Sequence, residues 1–333
     1  MRQTEETSFQ QQRLQRSMKK QEGVRVGNLI VLAQPDRVSL NLYREYLRNQ
    51  SYHISQTKHF VICQQPSSHR VILLHIFKQG EINADLIRFI EEELPAFGII
   101  ESEKQFGATL FAVLASTFSA PRDQPAIWRR FCLNTLDSLR NHIAHPDLIT
   151  PTSYIGPFAA IYRRAFDLFT GQSLLDVGCS FGFLPILTAE RYPQARIMGI
   201  DKNPDAITFS TDLAAITGTH SMTFTLLDLL SEDFLKQGSF DTVTAIHLLE
   251  HLTEQDIPTA LAHLLKVTNK RLLIAVPYEE AAQPLYDHQQ IFTSEKLKRW
   301  GTWCVEQLKG KGRYWYEEVM GGMLIIERAI REE

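Results

Sequence analysis

The stretch Leu175-Asp176-Val177-Gly178-Cys179-Ser180-Phe181-Gly182-Phe183 decides the fold. Before it, Ser173–Val177 is a continuous β-rich run, and after it Leu184–Arg191 has helical spacing. The stretch is therefore a strand-to-helix turn holding two glycines. Downstream the alternation repeats. Arg196–Ile200 reads as a strand. Asn203 and Pro204 then read as cap and first residue of a helix that Gly218 stops. Met222–Leu227 and Asp241–Ile246 are further strands. A helix follows with Ile257, Ala260, Leu261, Leu264 and Leu265 on one face and Asp256 as its cap. Arg271–Val276 is a strand and Ser294–Cys304 a helix. Arg313–Val319 and Met323–Glu327 are two β runs around Gly321–Gly322. Repeated βα units predict a doubly wound, mostly parallel α/β sheet of seven strands, Rossmann-like, over 171–330. Two final strands without a helix between them predict an antiparallel edge hairpin.

Upstream the pattern is mixed. Met1–Glu22 is polar and is expected to be a flexible tail, with Phe9, Leu14 and Met18 as a weak helical stripe. Residues 23–100 predict a smaller N-terminal α/β module. Val26–Leu32 is its strand, Val38–Leu47 a helix, and His59–Cys63 with Arg70–Phe77 a hairpin turning at Gln64–Ser68. Asn83–Leu94 is a further helix. Residues 101–170 predict a helical linker or lid, with helices at Phe106–Thr117, Ile127–His145 and Phe158–Phe169 and a proline-bearing break at Ser119–Pro125.

The 333 residues are 44% hydrophobic and 22% charged, with a formal net charge of -3. That is ordinary globular composition and gives no case for nucleic acid as a partner. No apolar run approaches the ~20 residues that a membrane helix needs. The first residues lack the apolar core of a signal peptide, so a cytoplasmic location is expected. Cys63, Cys132, Cys179 and Cys304 form no CxxC pair and read as reduced, buried thiols. The oligomeric state is not readable.

Ligands of such sheets bind outside the carboxyl ends of the strands. Gly178 and Gly182 allow the backbone to approach a ligand, and Cys179 and Ser180 lie between them. Asp201 ends the second strand, nineteen positions after Gly182. An acidic group there suits a ribose diol and opposes a 2′-phosphate. Lys202 adjoins it. Asp228, ending the third strand, suits either an adenine amino group or an exposed strand end. A dinucleotide requires a G-x-G-x-x-G turn for its pyrophosphate, whereas the spacing here is Asp-x-Gly-x-x-x-Gly. Asp176 suits a ligand with positive groups, such as the ammonium and sulfonium of S-adenosylmethionine (SAM). The residues favour SAM over NAD.

The series D-V-G-C-S-F-G-F (176–183), G-I-D (199–201) and F-D-T-V-T-A-I-H-L-L-E-H-L (240–252) resembles that of class I SAM-dependent methyltransferases, over about 171–328. The resemblance implies a SAM cofactor held by Asp176, Gly178, Cys179, Ser180, Gly182, Asp201, Lys202, Asp228 and His247. It also places the segment around His247–His251 beside the transferable methyl group. A hydroxyl acceptor must lose a proton, which suits histidine. His251 and His288, with Glu250, are the catalytic candidates. A capping or loop-stabilising role for His251 stays open. No metal is expected, and Glu250, His251 and His288 are the alternative metal set. Their pattern is similar to the E-x-x-E-H of plant small-RNA terminal 2′-O-methyltransferases, except that His247 replaces the first glutamate. Tyr278, Tyr286, Trp300 and Trp315 are candidate stacking surfaces. A narrower likeness rests on G-C-S-F-G-F-L-P (178–185), T-V-T-A-I-H-L-L-E-H-L (242–252), A-V-P-Y-E-E (275–280), Y-D-H-Q-Q-I-F (286–292) and G-G-M-L-I-I-E-R (321–328). These resemble the mycofactocin oligosaccharide methyltransferases, which implies O-methylation of a glucose hydroxyl. The acceptor is expected to be a hydroxylated small molecule or glycoside. A quinone- or polyketide-type acceptor and a non-catalytic SAM-fold binding protein are the alternatives.

Overall fold

The computed structural model describes residues 23–119, 123–219, 222–283 and 287–329. The expected tail at 1–22, residues 120–122 of the expected break at 119–125, and Tyr286 lie outside the described residues. Two compact units divide between Thr135 and Leu136.

In the first unit a five-stranded sheet has the order β1-β2-β5-β4-β3. Its strands are β1 (Val24–Val26), β2 (Leu29–Ala33), β3 (His53–Gln56), β4 (Val61–Gln65) and β5 (Arg70–His75). The single strand expected over Val26–Leu32 is a hairpin instead. Gly27 adopts a φ of 58° and turns the chain, and β1 pairs antiparallel with β2. Helix α1 (Arg37–Arg48) is capped by Asp36, whose carboxylate accepts from the Ser39 N–H at 2.7 Å. Its Tyr43 and Leu47 pack with Leu32, Val61, Cys63, Ile72 and Leu74. Helices α2 (Asp85–Glu93) and α3 (Glu103–Ser116) follow. His75, on β5, meets Ser116 of α3 at 2.8 Å. This unit therefore runs past residue 100. Helix α4 (Gln124–Ala144) contains the unit boundary.

The second unit holds the seven-stranded sheet. Its strands are β6 (Ser173–Val177), β7 (Arg196–Asp201), β8 (Met222–Leu226), β9 (Phe240–Ile246), β10 (Thr268–Val276), β11 (Gly312–Glu318) and β12 (Gly322–Arg328), in the order β11-β12-β10-β9-β6-β7-β8. Strands β6 to β10 run parallel, and β12 is antiparallel to both β10 and β11. The expected α/β sheet with its antiparallel edge hairpin is the fold observed. Chain order reverses between β6 and β9, so the crevice at their carboxyl ends is where a ligand binds in such a sheet. The helices are α5 (Ile155–Leu168), α6 (Phe183–Arg191), α7 (Pro204–Thr217), α8 (Ile257–Val267) and α9 (Ser294–Gln307). Helix α8 buries Ile257, Ala260, Leu261, Leu264 and Leu265 against Val243, Leu272 and Leu324 of the sheet. Asn203 caps α7 through Asp205 N–H at 2.9 Å, and Gly218 closes it with a φ of 72°. Asp256 does not cap α8 with its side chain. It has helical backbone angles, and its carboxylate accepts from Thr253 at 2.6 Å. All four cysteines are buried and unbridged. No helix among the described residues is long and apolar enough to cross a membrane.

Candidate active site

The loop between β6 and α6 is built from the backbone outward. The N–H groups of Gly178 and Cys179 both donate to Ile200 O at the end of β7, at 2.8 and 2.9 Å. Ser180 N–H donates to one oxygen of Asp201 and Asn203 N–H to the other, each at 2.9 Å. Gly178 and Gly182 both have a φ of 75°. A Cβ on Gly178 would sit 2.9 Å from Leu248, and one on Gly182 would sit 2.7 Å from the Phe224 ring. Both positions therefore need glycine for conformation and for space. Cys179 is buried, and the Cβ that Gly199 lacks would lie 2.9 Å from its sulfur. Lys202 is exposed beside the loop. Asp228 is exposed too, and one of its oxygens accepts from Leu230 N–H at 2.8 Å, a local turn bond.

Asp176 is buried at 4% exposure. Its carboxylate accepts from Thr244 of the neighbouring strand β9 at 2.7 Å. Burial pushes its pKa up to about 7 against that hydrogen bond, with Asp201 adding repulsion. Among the described residues no cation pairs with this carboxylate, and a buried carboxylate of that kind suits a ligand that brings positive charge. The expected cofactor residues Asp176, Gly178, Cys179, Ser180, Gly182 and Asp201 thus lie together at the carboxyl ends of β6 and β7. SAM supplies a methyl group on a sulfonium centre.

At the same end of the sheet lies a second cluster. His247, at the end of β9, has a φ of 50° and donates its backbone N–H to Ala275 O at 2.9 Å. Its ring lies 4.8 Å from the Phe158 ring of α5, and its Nε2 is buried without a partner. Burial lowers its pKa to about 4, so the ring is neutral near pH 7. One 3₁₀ turn, Leu249–His251, follows. There Glu250 is 1% exposed, and neither of its carboxylate oxygens has a hydrogen-bond partner. Burial pushes its pKa up to about 8, with Glu279 adding repulsion. His247 Nδ1 lies 3.8 Å from Glu250 Oε1. Burial also lowers the pKa of His251. The rings of His251 and His288 are 4.8 Å apart, edge to face. His288 Nδ1 lies 2.8 Å from the Glu279 carboxylate.

The segment carrying His288 is stitched to the 3₁₀ turn. Gln289 N–H donates to Glu250 O at 2.8 Å, and the Gln290 amide donates to Leu252 O at 2.6 Å and Leu249 O at 3.3 Å. The structure thus brings together Glu250, His251 and His288, whose ligating atoms all lie within 4.8 Å of one another. Of the aromatic candidates, Tyr278 is exposed at the end of β10 and its hydroxyl meets that of Tyr316. Trp300 packs on the core, and the Trp315 face carries Arg271 and Arg313.

Three contributors escape a reading of the motifs alone. Phe158 walls His247. Tyr162 is buried, which raises its pKa, and Asp176 adds to that rise. Glu279 holds His288. The first two recur at four-residue spacing with Tyr154, the cap residue of α5; that stripe was the available signal.

Residues 168–320 match the family model described as a methyltransferase domain. Ajmaline N-methyltransferase of Rauvolfia serpentina is 33% identical over 86 residues, which is 26% of this chain and 29% of that enzyme. The chain thus spans less than a third of the length of this curated relative. Among solved structures, an O-methyltransferase family protein from Burkholderia thailandensis superposes with a TM-score of 0.42 at 14% identity, covering 75% of this chain and 91% of that one. The methyltransferase domain of bacterial CtHen1 superposes with a TM-score of 0.44 at 16% identity, covering 51% and 99%.

Proposed function

With residues 168–320 a SAM-dependent methyltransferase domain, we propose that the chain methylates a hydroxyl of a small molecule or glycoside, with a sugar hydroxyl of an oligoglucoside as the first acceptor class. An oligoglucosylated cofactor of mycofactocin type is the specific candidate. The observation that carries this reading is the Glu250–His251–His288 cluster, its glutamate buried and its histidines half-buried, at the same strand ends as the glycine loop. Methyl transfer itself needs alignment of nucleophile and methyl group. A hydroxyl additionally needs its proton removed, and this cluster supplies groups able to take or polarise it.

In this reading Asp176 faces the positive groups of SAM, and Gly178, Cys179, Ser180 and Gly182 form the cradle. Asp201 receives the ribose, since each of its oxygens keeps a lone pair beyond its backbone bond. Lys202 and Asp228 edge the adenosine side. His247 and Phe158 cover the methyl side. His251, neutral near pH 7 because burial lowers its pKa, takes or positions the acceptor proton together with His288.

The test is calorimetric titration of the full chain with SAM and with its demethylated product, followed by mass-spectrometric screening of oligoglucosides. Micromolar SAM binding and a methyl mass increment are expected. In His251→Ala and His288→Ala, turnover is expected to fall more than SAM affinity. Equal loss in both quantities would give these histidines a structural role. A second reading, a small-molecule acceptor that includes amines, is favoured by the name of the Rauvolfia relative. Transfer to an alkaloid amine with none to any glucoside would select it.

A further inference from the structure

We propose that Arg164 is a positioning residue for the methyl side of the cofactor. By clamping the C-terminal half of α5 to the sheet edge, it sets where the N-terminal half of that helix places Phe158. The proposal rests on the cofactor placement of the proposed function, and its test does not depend on finding the acceptor.

Helix α5 is one element held in two different ways. Its N-terminal half reaches the strand ends, where the Phe158 ring lies 4.8 Å from that of His247. Around Phe158 the packing is apolar, with Ile155, Ala159 and Ile161 buried. Apolar packing is non-directional and leaves the roll and slide of a helix weakly fixed. The C-terminal half carries directed bonds. Arg164 Nε and Nη2 each donate to one oxygen of Glu317 on β11, both at 2.6 Å. The Trp315 indole N–H donates to the same carboxylate at 2.9 Å. One turn further on, Arg271 of β10 donates to Leu168 O at 2.7 Å, at the helix end that favours a cation. Arg271 is itself fixed, for it pairs with Glu327 of β12, and its guanidinium lies 5.6 Å from the centre of the Trp315 ring.

Exposed ion pairs contribute little to a fold. This one differs, being bidentate, shared with an indole, and only 34% and 25% exposed at its two side chains. A fork of that kind specifies direction as well as charge. Together with the bond at Leu168 O, it fixes both the rotation of α5 and its position along its axis. Phe158 precedes Arg164 by six residues, about 9 Å along the helix, so a small roll at the clamp is carried rigidly to the strand ends. The rings of Phe158 and neutral His247 border the methyl side there. Aromatic rings in that place favour a sulfonium cation over the uncharged thioether left after transfer. Arg164 thus acts, through α5, on the preference of the pocket for cofactor over product.

The test is calorimetric titration of SAM, and separately of its demethylated product, into the full wild-type chain, Arg164→Met and Arg164→Lys. In Arg164→Met, SAM is expected to bind about 5–30-fold more weakly, the range of a desolvated cation–π contact, and the product is expected to lose distinctly less. Arg164→Lys keeps the charge without the fork and should lie between the two. Amide hydrogen exchange should quicken over residues 155–162 and stay unchanged over β6. Circular dichroism verifies folding, and Arg164→Lys carries the same comparison if Arg164→Met does not fold. Equal weakening of SAM and product would leave the clamp a merely structural role and overturn the proposal. Unchanged SAM affinity in a folded Arg164→Met chain would overturn it as well. In both cases wild-type SAM binding keeps the cofactor placement standing. A folded wild-type chain that binds neither ligand would instead strike that placement, and the proposal with it.

Discussion

At the carboxyl end of β6, the N–H groups of Gly178, Cys179 and Ser180 end on Ile200 O and Asp201, and Asp201 accepts at both oxygens. Beyond the ends of β9 and β10, Glu250 is buried with both oxygens unpartnered, and His247 Nε2 is buried likewise. The two regions share one end of one sheet, yet one satisfies its own polar groups and the other leaves several of them unpaired. Under the proposed function the difference separates two jobs. A cofactor cradle that binds with its backbone must be rigid before the ligand arrives. A reacting centre needs groups whose hydrogen-bonding capacity is withheld for its reactant, at a cost in stability.

Substitutions can break or sharpen that contrast. The largest effect is expected from Gly178→Val. A β-branched residue at a φ of 75° and against Leu248 should destabilise the fold by on the order of 4 kcal/mol, as strain and overpacking combine. Thermal denaturation measures it, and an unchanged melting temperature would show the cradle to be soft.

Asp176→Asn comes next. The native carboxyl is raised to about 7 by burial, so its contribution to stability is complete below about 4 and is lost as pH rises through 7. Asparagine carries no such penalty and can still accept from Thr244. The variant should therefore gain on the wild type between pH 5 and pH 8. At pH 8 it should melt at least about 2–4 °C higher without ligand, while binding SAM more weakly. A pH-independent difference would place Asp176 in a solvated setting.

Asp201→Ala should cost roughly 1–3 kcal/mol of SAM affinity, since ribose hydroxyls and the Ser180 and Asn203 N–H groups all lose an acceptor. Calorimetry with unchanged affinity would remove Asp201 from the cofactor site. The smallest effect belongs to Asn203→Ala, which removes the α7 cap. Stability should fall by about 1 kcal/mol with turnover per folded molecule unchanged.

Much of the second unit was legible because buried parallel strands are continuous apolar runs, as in Leu272–Val276, and because Asn203, Pro204 and Gly218 punctuate α7. Strand β3 was not, since His53-Ile54-Ser55-Gln56 is a short, polar edge. The Gly27 turn hid inside an apolar stretch that reads as one strand. At the candidate site, Asp176, His247, Glu250, His251 and His288 stand out by residue type at strand ends. Their environments do not. That Glu250 is sealed from water goes with residues 287–292 packing back on the 3₁₀ turn through Gln289 and Gln290. That His288 faces Glu279 depends on the loop after β10. Asp256 shows the reverse error, for its position invites a capping role that its helical backbone and Thr253 take away.

Gln290 deserves a genetic reading. Its amide nitrogen donates to the carbonyls of Leu249 and Leu252, and its amide oxygen accepts from Lys296 at 2.6 Å. Two carbonyls demand a donor and an ammonium demands an acceptor, and a primary amide of this length meets both needs in one side chain. Glutamate would oppose oxygen to oxygen, lysine would face an ammonium with an ammonium, and asparagine would fall short. In a saturation library scored for activity, this codon should tolerate almost no replacement, although it encodes none of the groups that touch the reactants.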